Sequence, residues 1–576
     1  MNPFIFSGAS NLTDEQILKL FIHDHNYSRF IQSKRNFFFW GERGSGKSMN
    51  FLYNKLVMQT NIAKSISESQ AIEYLPVYVS CINPLVFKRE YLLLNSEFHA
   101  SIVSEHYFVL SMALSLVDEL QEVFGNSNII DDEELLLEIR YLFDIDIPSG
   151  DSALKSLKLF LRKEIIRTQK EINSPDSDSF YADTYTFASL IVPLIELFKT
   201  VELMKSMHFV FMIDDAHDLN SSQKSALNGW IAFRDNSSFS FKVSAAKVSE
   251  YELATASGGA ILQGHDYVSI NMEQAFQNSG SSYGKMAKKI IAKRLEVVGF
   301  DNDFDAGLFF PESKAFTEGI KAAEKKAREL AVLKYGADET KKITDYVYKY
   351  ARAIYFRERS PKANRVQYSG LDTIIHLSSG VIRNLLEPCY LMYDDMVSDV
   401  GFGNVEYITP SIQARVIERL SDSYWERLRH GVDKEIPGCS ELQAKQLSNL
   451  FHGLAEHFRD RMLDENCSEP RAIAFTISAK KDDLMSVLQP VLNLARSAQM
   501  IYVRTGTAKD KGAKEDYFVP NRMFWPARGL DPVGQHARVS FQAKVLVDVL
   551  ETGKIPYAQK ASIENYNDGQ EDFFNE

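Results

Sequence analysis

The stretch FFFWGERGSGKSMNFL, residues 37–52, decides the fold. Phe37 to Trp40 form a short apolar run that stops at Gly41, as a buried strand does. The octet Gly41-Glu42-Arg43-Gly44-Ser45-Gly46-Lys47-Ser48 then satisfies the pattern GxxxxGK[ST]. Its glycines let the backbone curl, so that successive N–H groups and the N-terminus of the following helix face a phosphate. In that arrangement Lys47 reaches the β and γ phosphates and the Ser48 hydroxyl holds magnesium. Strand, loop and helix together predict a site for ATP and Mg2+; the bland alternative is a glycine turn with an exposed lysine.

Upstream, Thr13 and Gln16 are spaced as a capping box, with Leu12 and Ile17 placed as a hydrophobic staple, which predicts a helix from about residue 14. Downstream, YLPVYVS (74–80), HFVFMIDD (208–215), FSFKVSAA (239–246) and DYVSINM (266–272) read as strands. Buried apolar runs alternating with helical stretches predict an α/β fold with a largely parallel sheet and flanking helices. The longest apolar run, YFVLSMALSLV (107–117), is too short to span a bilayer and reads as a buried helix. From residue 283 to about 400 the pattern is helical, with EGIKAAEKKARELAVLKYG (318–336) closing on a glycine. Beyond residue 406, helices lead into MIYVRTGTAKDKGAKEDYFVP (500–520), two strand-like ends around a lysine-rich tip, which suggests a winged helix. The helix before it is expected to kink or break at Pro490.

A chain of 576 residues is long for one core and predicts two to four domains. With 45% hydrophobic and 25% charged residues, the composition excludes a disordered or fibrous chain. A net charge of −12 argues against a surface that coats nucleic acid everywhere, while leaving room for local basic patches. Cys81, Cys389, Cys439 and Cys467 form no CxxC pair, so neither a disulfide framework nor a zinc site is predicted, and a cytoplasmic setting fits. The amino terminus lacks the pattern of a signal peptide, and no membrane contact is expected. The two histidines of HDHN (23–26) have no spaced third ligand and read as a solvated helix face.

A phosphate loop of this kind needs a second anchor for its metal, and HFVFMIDDAHDL (208–219) supplies one. Asp214 ends a buried strand expected beside that of the loop; with Ser48 it is the candidate metal ligand, and Asp215 the candidate base that polarises an attacking water. Ser244, near the end of FSFKVSAA, either holds that water or merely ends a strand. Arg234, in WIAFRDNSSF, either reaches a neighbouring subunit's γ phosphate or is a solvated arginine. Arg383, three residues after Gly380 at a helix start, is placed to reach over the phosphates.

This set of motifs resembles the AAA+ ATPases, and within them the initiator clade of the origin recognition complex and its Cdc-type loader relatives. The resemblance covers residues 10–400 and extends to about 550. It implies Walker A at Gly41–Ser48, Walker B at Asp214 and Asp215, sensor one at Ser244, an arginine finger at Arg234, sensor two at Arg383 and a DNA-binding winged helix. The domains expected are an ATPase core over residues 1–280, a helical lid over 281–405, a winged-helix-like domain over 406–550 and an acidic, disordered tail over 551–576.

Two departures stand out. Asp214 lies 166 positions after Ser48, which predicts a helical insertion at about 85–200, a candidate partner surface. Walker B also ends in two aspartates where the family has aspartate then glutamate, and the shorter side chain implies slow hydrolysis or switch-like use of nucleotide. Residues 496–544 carry Arg496, Arg504, Lys509, Lys511, Lys514, Arg522, Arg528, Arg538 and Lys544, read either as a phosphate-contacting wing or as a solvated or protein-contacting one. The expected function is ATP binding and hydrolysis, coupled to homo- or hetero-oligomer assembly with nucleotide between subunits and to engagement of DNA or a partner protein. The alternative is a STAND-like nucleotide switch in bacterial signalling or phage defence, acting through a separate effector protein.

Overall fold

In the computed structural model, residues 2–557 are described except 6–7, 24–26, 67–72, 83–95, 126–132, 146–151, 174–182, 234–237, 247–250, 274–279, 302–303, 360–365, 402, 437, 508–513 and 535–536. The chain divides into two compact units, Ser7–Gln274 and Met1–Phe6 with Ala275–Glu576.

The Ser7–Gln274 unit is built on five parallel strands: β1 (Phe37–Trp40), β2 (Tyr74–Ser80), β3 (His208–Asp214), β4 (Phe239–Ala245) and β5 (Val268–Asn271), in the order β2-β3-β4-β1-β5. The two-residue period of β1 explains its four consecutive apolar side chains. Phe38 and Trp40 enter the cluster on one face of the sheet, while Phe37 and Phe39 join Phe51 of the helix Lys47–Tyr53 on the other. A strand covered on both faces is what a continuous apolar run encodes. Asn36 stitches the start of β1 to its neighbours, accepting from Phe241 N and donating to Asp266 O.

Within the expected insertion, the helices Glu97–Phe124 and Ala153–Ile172 bury Val109, Met112, Leu116, Leu157 and Leu161 in the same cluster as Phe38 and Trp40. This part of the segment therefore forms one cover of the sheet. Glu97–Phe124 is long and apolar enough to cross a membrane by composition, yet 72% of its apolar window is buried against the protein.

The other unit begins with helices, including the antiparallel pair Lys314–Tyr335 and Thr340–Glu358 and the successive Leu371–Leu377 and Ile382–Val400. It ends in a four-stranded sheet of β6 (Ala474–Ser478), β7 (Ile501–Thr507), β8 (Lys514–Pro520) and β9 (Arg538–Gln542), ordered β7-β8-β6-β9. The hairpin anticipated from residues 500–520 is the antiparallel pair β7-β8. The helix Asp482–Ser497 runs through Pro490 without the expected break. Leu488, Val491, Leu492 and Ala495 bury one stripe of it while Pro490 faces solvent, so tertiary packing outweighs the lost hydrogen bond. One hydrophobic cluster takes residues from both the helical stretch and the C-terminal sheet of this unit.

Two networks tie that stretch to the C-terminal segment. Asp531 receives a bidentate guanidinium from Arg352, at 2.8 Å twice, and a further bond from Arg471 at 3.3 Å. Asn384 donates to the Tyr502 hydroxyl at 2.7 Å, and the Ser379 hydroxyl accepts from Arg522 N at 2.9 Å.

Candidate functional site

In an open parallel sheet, ligands bind beyond the carboxyl ends of the strands. Gly41–Gly46 follows β1 there, Asp214 ends β3 and Ser244 lies one residue before the end of β4. The strand of Asp214 is not beside β1, as the sequence reading expected; β4 lies between them. This interposition brings Ser244 against Asp214.

The loop has the shape its glycines allow. Gly44 and Gly46 take φ of 88° and 93°, the left-handed region, and Gly46 precedes the first helical residue, Lys47. A Cβ at Gly41 would meet Ser45 Oγ at 2.7 Å. Ser45 Oγ is itself buried and has no hydrogen-bond partner among the described residues. The Lys47 ammonium is 5% exposed as a residue and donates to Gly41 O at 2.7 Å and Glu42 O at 3.1 Å. Among the described residues no carboxylate is within ion-pair distance of it. Burial lowers its pKa, opposed through space by Asp215, Asp214, Glu42 and Glu273. A buried, charged donor without a paired anion, an orphaned hydroxyl and a tight cradle fit a phosphate-bearing ligand.

Asp214 is 2% exposed and, among the described residues, held by three donors. Ser244 Oγ and Asp215 N, at 3.2 Å, donate to Oδ1, and the Tyr78 hydroxyl donates to Oδ2 at 3.0 Å. An ionised carboxylate has about four acceptor positions, so one remains, on Oδ2. With Ser48 on the first turn of the loop helix, this donor set suits a hard cation held partly through water. Asp215 adopts the left-handed conformation, φ 58° and ψ 40°. Burial first, and then Asp214, raise its carboxyl pKa to about 6, with Lys47 opposing. A carboxylate poised near neutrality is suited to taking a proton from water.

Ser244 is fully buried; besides bonding Asp214, its hydroxyl accepts from Asp215 N at 3.0 Å. Its hydrogen bonds thus go to the aspartate pair. Arg383 is exposed at the start of Ile382–Val400 in the other unit, and Arg234 lies outside the described residues.

Several neighbours escaped the sequence reading. Arg43 Nη2 lies 3.4 Å from Asp218 Oδ1 and 3.4 Å from His217 Nε2. Burial holds the His217 imidazole down to about 4, so its ring is neutral near pH 7 and accepts from Arg43. Glu273 accepts from the Glu42 N–H at 3.2 Å. Tyr78 carried a legible signal, because a phenol within a buried strand requires an acceptor.

The basic C-terminal stretch is less available than its residue count implies. Arg522 is buried, Arg528 stacks on Trp425 at 4.0 Å, Arg538 stacks on Tyr517 at 3.9 Å, and Arg504 lies over Tyr502 and donates to Ser379 O. Lys509 and Lys511 of the hairpin tip lie outside the described residues.

A family model described as ORC-CDC6-like matches residues 2–541. Among solved structures, Cdc6p from Pyrobaculum aerophilum is similar at 9% identity, covering 96% of this chain and 97% of that one, with a TM-score of 0.28. The Aeropyrum pernix Orc1 protein, solved in complex with DNA, is similar at 9% identity and 96% coverage of each chain, with a TM-score of 0.32. Both superpose only loosely on this chain. No match is found among curated proteins.

Proposed function

The chain belongs to the ORC-CDC6-like family of initiator-clade AAA+ proteins, and on that premise we propose that it binds ATP with magnesium at Gly41–Ser48 and hydrolyses it slowly, using nucleotide state to control oligomer assembly and engagement of DNA or a partner protein. One observation carries the reading: the buried Lys47 ammonium and the Asp214–Asp215 pair lie at one end of the same parallel sheet, each short, among the described residues, of the partners that would satisfy it. The loop N–H groups and Lys47 bind the β and γ phosphates, while Ser48 and Asp214 hold the metal, which spreads the charge of the phosphates when bound. Asp215 accepts the proton of the attacking water. Ser244 keeps the two aspartates in register, Arg383 reaches the phosphates from the lid, and Arg234 acts on the nucleotide of a neighbouring subunit. The domain limits at about residues 280 and 405 and a DNA-contacting hairpin tip, on a winged-helix-like end, are part of the same reading.

ATP hydrolysis by the wild type, Lys47→Ala and Asp215→Asn tests it. Both variants should fall to background, with Asp215→Asn retaining nucleotide; equal rates in all three overturn the enzymatic reading. The short Asp215 side chain favours a second reading, a STAND-like switch in bacterial signalling or phage defence acting through a separate effector. Tight nucleotide binding by the wild type with less than one turnover per hour would select it.

A further inference from the structure

We propose that Tyr78 is a positioning residue for the metal site: its hydroxyl occupies one acceptor position of Asp214 Oδ2 and so aims the last free one at the cation's shell. The proposal rests on the magnesium-nucleotide reading of Asp214. Nothing in the motif pattern marks Tyr78, which is on the edge strand β2, paired in register with Met212 of β3. Its ring packs against clusters that contain Phe51, Leu52 and Tyr53 of the phosphate-loop helix, while its hydroxyl lies 3.0 Å from Asp214 Oδ2. One side chain therefore joins the apolar clusters that hold the phosphate-loop helix to the carboxylate of Asp214.

The direction of that bond is fixed by chemistry, since an ionised carboxylate only accepts and the phenol must donate. Ser244 and Asp215 N take up Oδ1, so without Tyr78 the carboxylate is pinned at one oxygen and Oδ2 presents two equivalent positions. With Tyr78 in place it presents one. A ligand held to one orientation binds a cation better than one that must be ordered on binding.

Affinity for ATPγS, measured on the full chain in magnesium and in EDTA, tests the assignment. Tyr78→Phe keeps the ring and removes only the hydroxyl. It should leave the EDTA affinity within about twofold of wild type and cut the strengthening by magnesium about tenfold, the scale of one hydrogen bond to a charged group. In an Asp214→Asn background the same substitution should change nothing further. Equal losses in EDTA and magnesium would assign Tyr78 to packing alone and overturn the proposal, as would a magnesium response equal to wild type. A wild type that binds ATPγS equally with and without magnesium would overturn the metal reading of Asp214 and this proposal with it.

Discussion

Two buried aspartates, one in each unit, show how similar chemistry serves opposite ends. Asp531 is 2% exposed and accepts four hydrogen bonds: two from Arg352, one from Arg471 and one from Val533 N. Asp214 is equally buried but, among the described residues, accepts three, with a second carboxylate next to it in sequence and an ammonium, Lys47, whose bonds there go to loop carbonyls. At Asp531 the neighbouring guanidinium of Arg352 outweighs burial and holds the carboxyl well below the usual range. At Asp215 burial and the adjacent anion win, and its pKa is raised to about 6. The first cluster is complete and contributes to stability at neutral pH; the second is incomplete among the described residues and costs stability there, as the proposed nucleotide site requires.

The largest expected effect is at the complete cluster. Asp531→Ala leaves Arg352 and Arg471 facing each other without an anion and should destabilise the Ala275–Glu576 unit by about 3–5 kcal/mol. Hydrogen exchange read peptide by peptide in the full chain measures it, and a loss below about 1 kcal/mol would remove the contrast between the sites. The pH response comes next. Burial and Arg522 hold His376 down to about 3, so below about pH 6.5 the unfolded chain binds a proton that the folded one refuses. Stability of this unit should therefore fall by roughly 1.4 kcal/mol per pH unit between those limits, and Asp531, whose folded-state pKa is held below its ordinary value of 3.8, adds to the loss in the same direction from about that pH downward. Exchange rates independent of pH after correction for intrinsic chemistry would contradict this.

At the incomplete cluster the sign should reverse. The folded-state pKa of Asp215 is raised, so its ionised form costs stability above about pH 6; Asp215→Asn should raise the stability of the Ser7–Gln274 unit by about 1–2 kcal/mol while abolishing turnover. Lys47→Met should stabilise in the same direction and remove nucleotide binding. A lowered thermal midpoint in both variants would show that the two sites are equally structural. Smallest for the fold is the hairpin: Glu at 509, 511 and 514 should change stability by less than about 0.5 kcal/mol. On the DNA reading, it should flatten the salt dependence of binding by about three phosphate contacts. An unchanged salt slope would take the tip out of any phosphate contact.

The conformation of the glycine loop was legible because it is encoded locally. Glycines at fixed spacing, a lysine and a serine act through backbone geometry that eight residues encode, and β1 declared its burial through four apolar side chains in a row. Asp214, Asp215 and Ser244 were legible as strand ends, but the hydrogen bonds among them were not. Tyr78, Ser244 and Glu273 come from three other strands or strand ends, and the order β2-β3-β4-β1-β5 brings them to the same end of the sheet as the aspartate pair and the loop. The charge of the C-terminal stretch was legible but the contacts of its arginines were not, since a residue count cannot tell an arginine stacked on Trp425 or Tyr517 from one facing solvent.

By itself, then, the sequence carried a glycine loop between a buried strand and a helix, four further apolar runs that read as strands, and a double aspartate 166 positions after Ser48, because each of these elements is written in contiguous residues, and their combination pointed to the AAA+ proteins. Tertiary structure alone decided which of its buried charges are satisfied. Among the described residues four donors converge on Asp531 and three on Asp214, and on the proposed reading that difference of one acceptor position, set by segments up to 179 residues apart, separates a charge that holds the fold from one left open to a ligand.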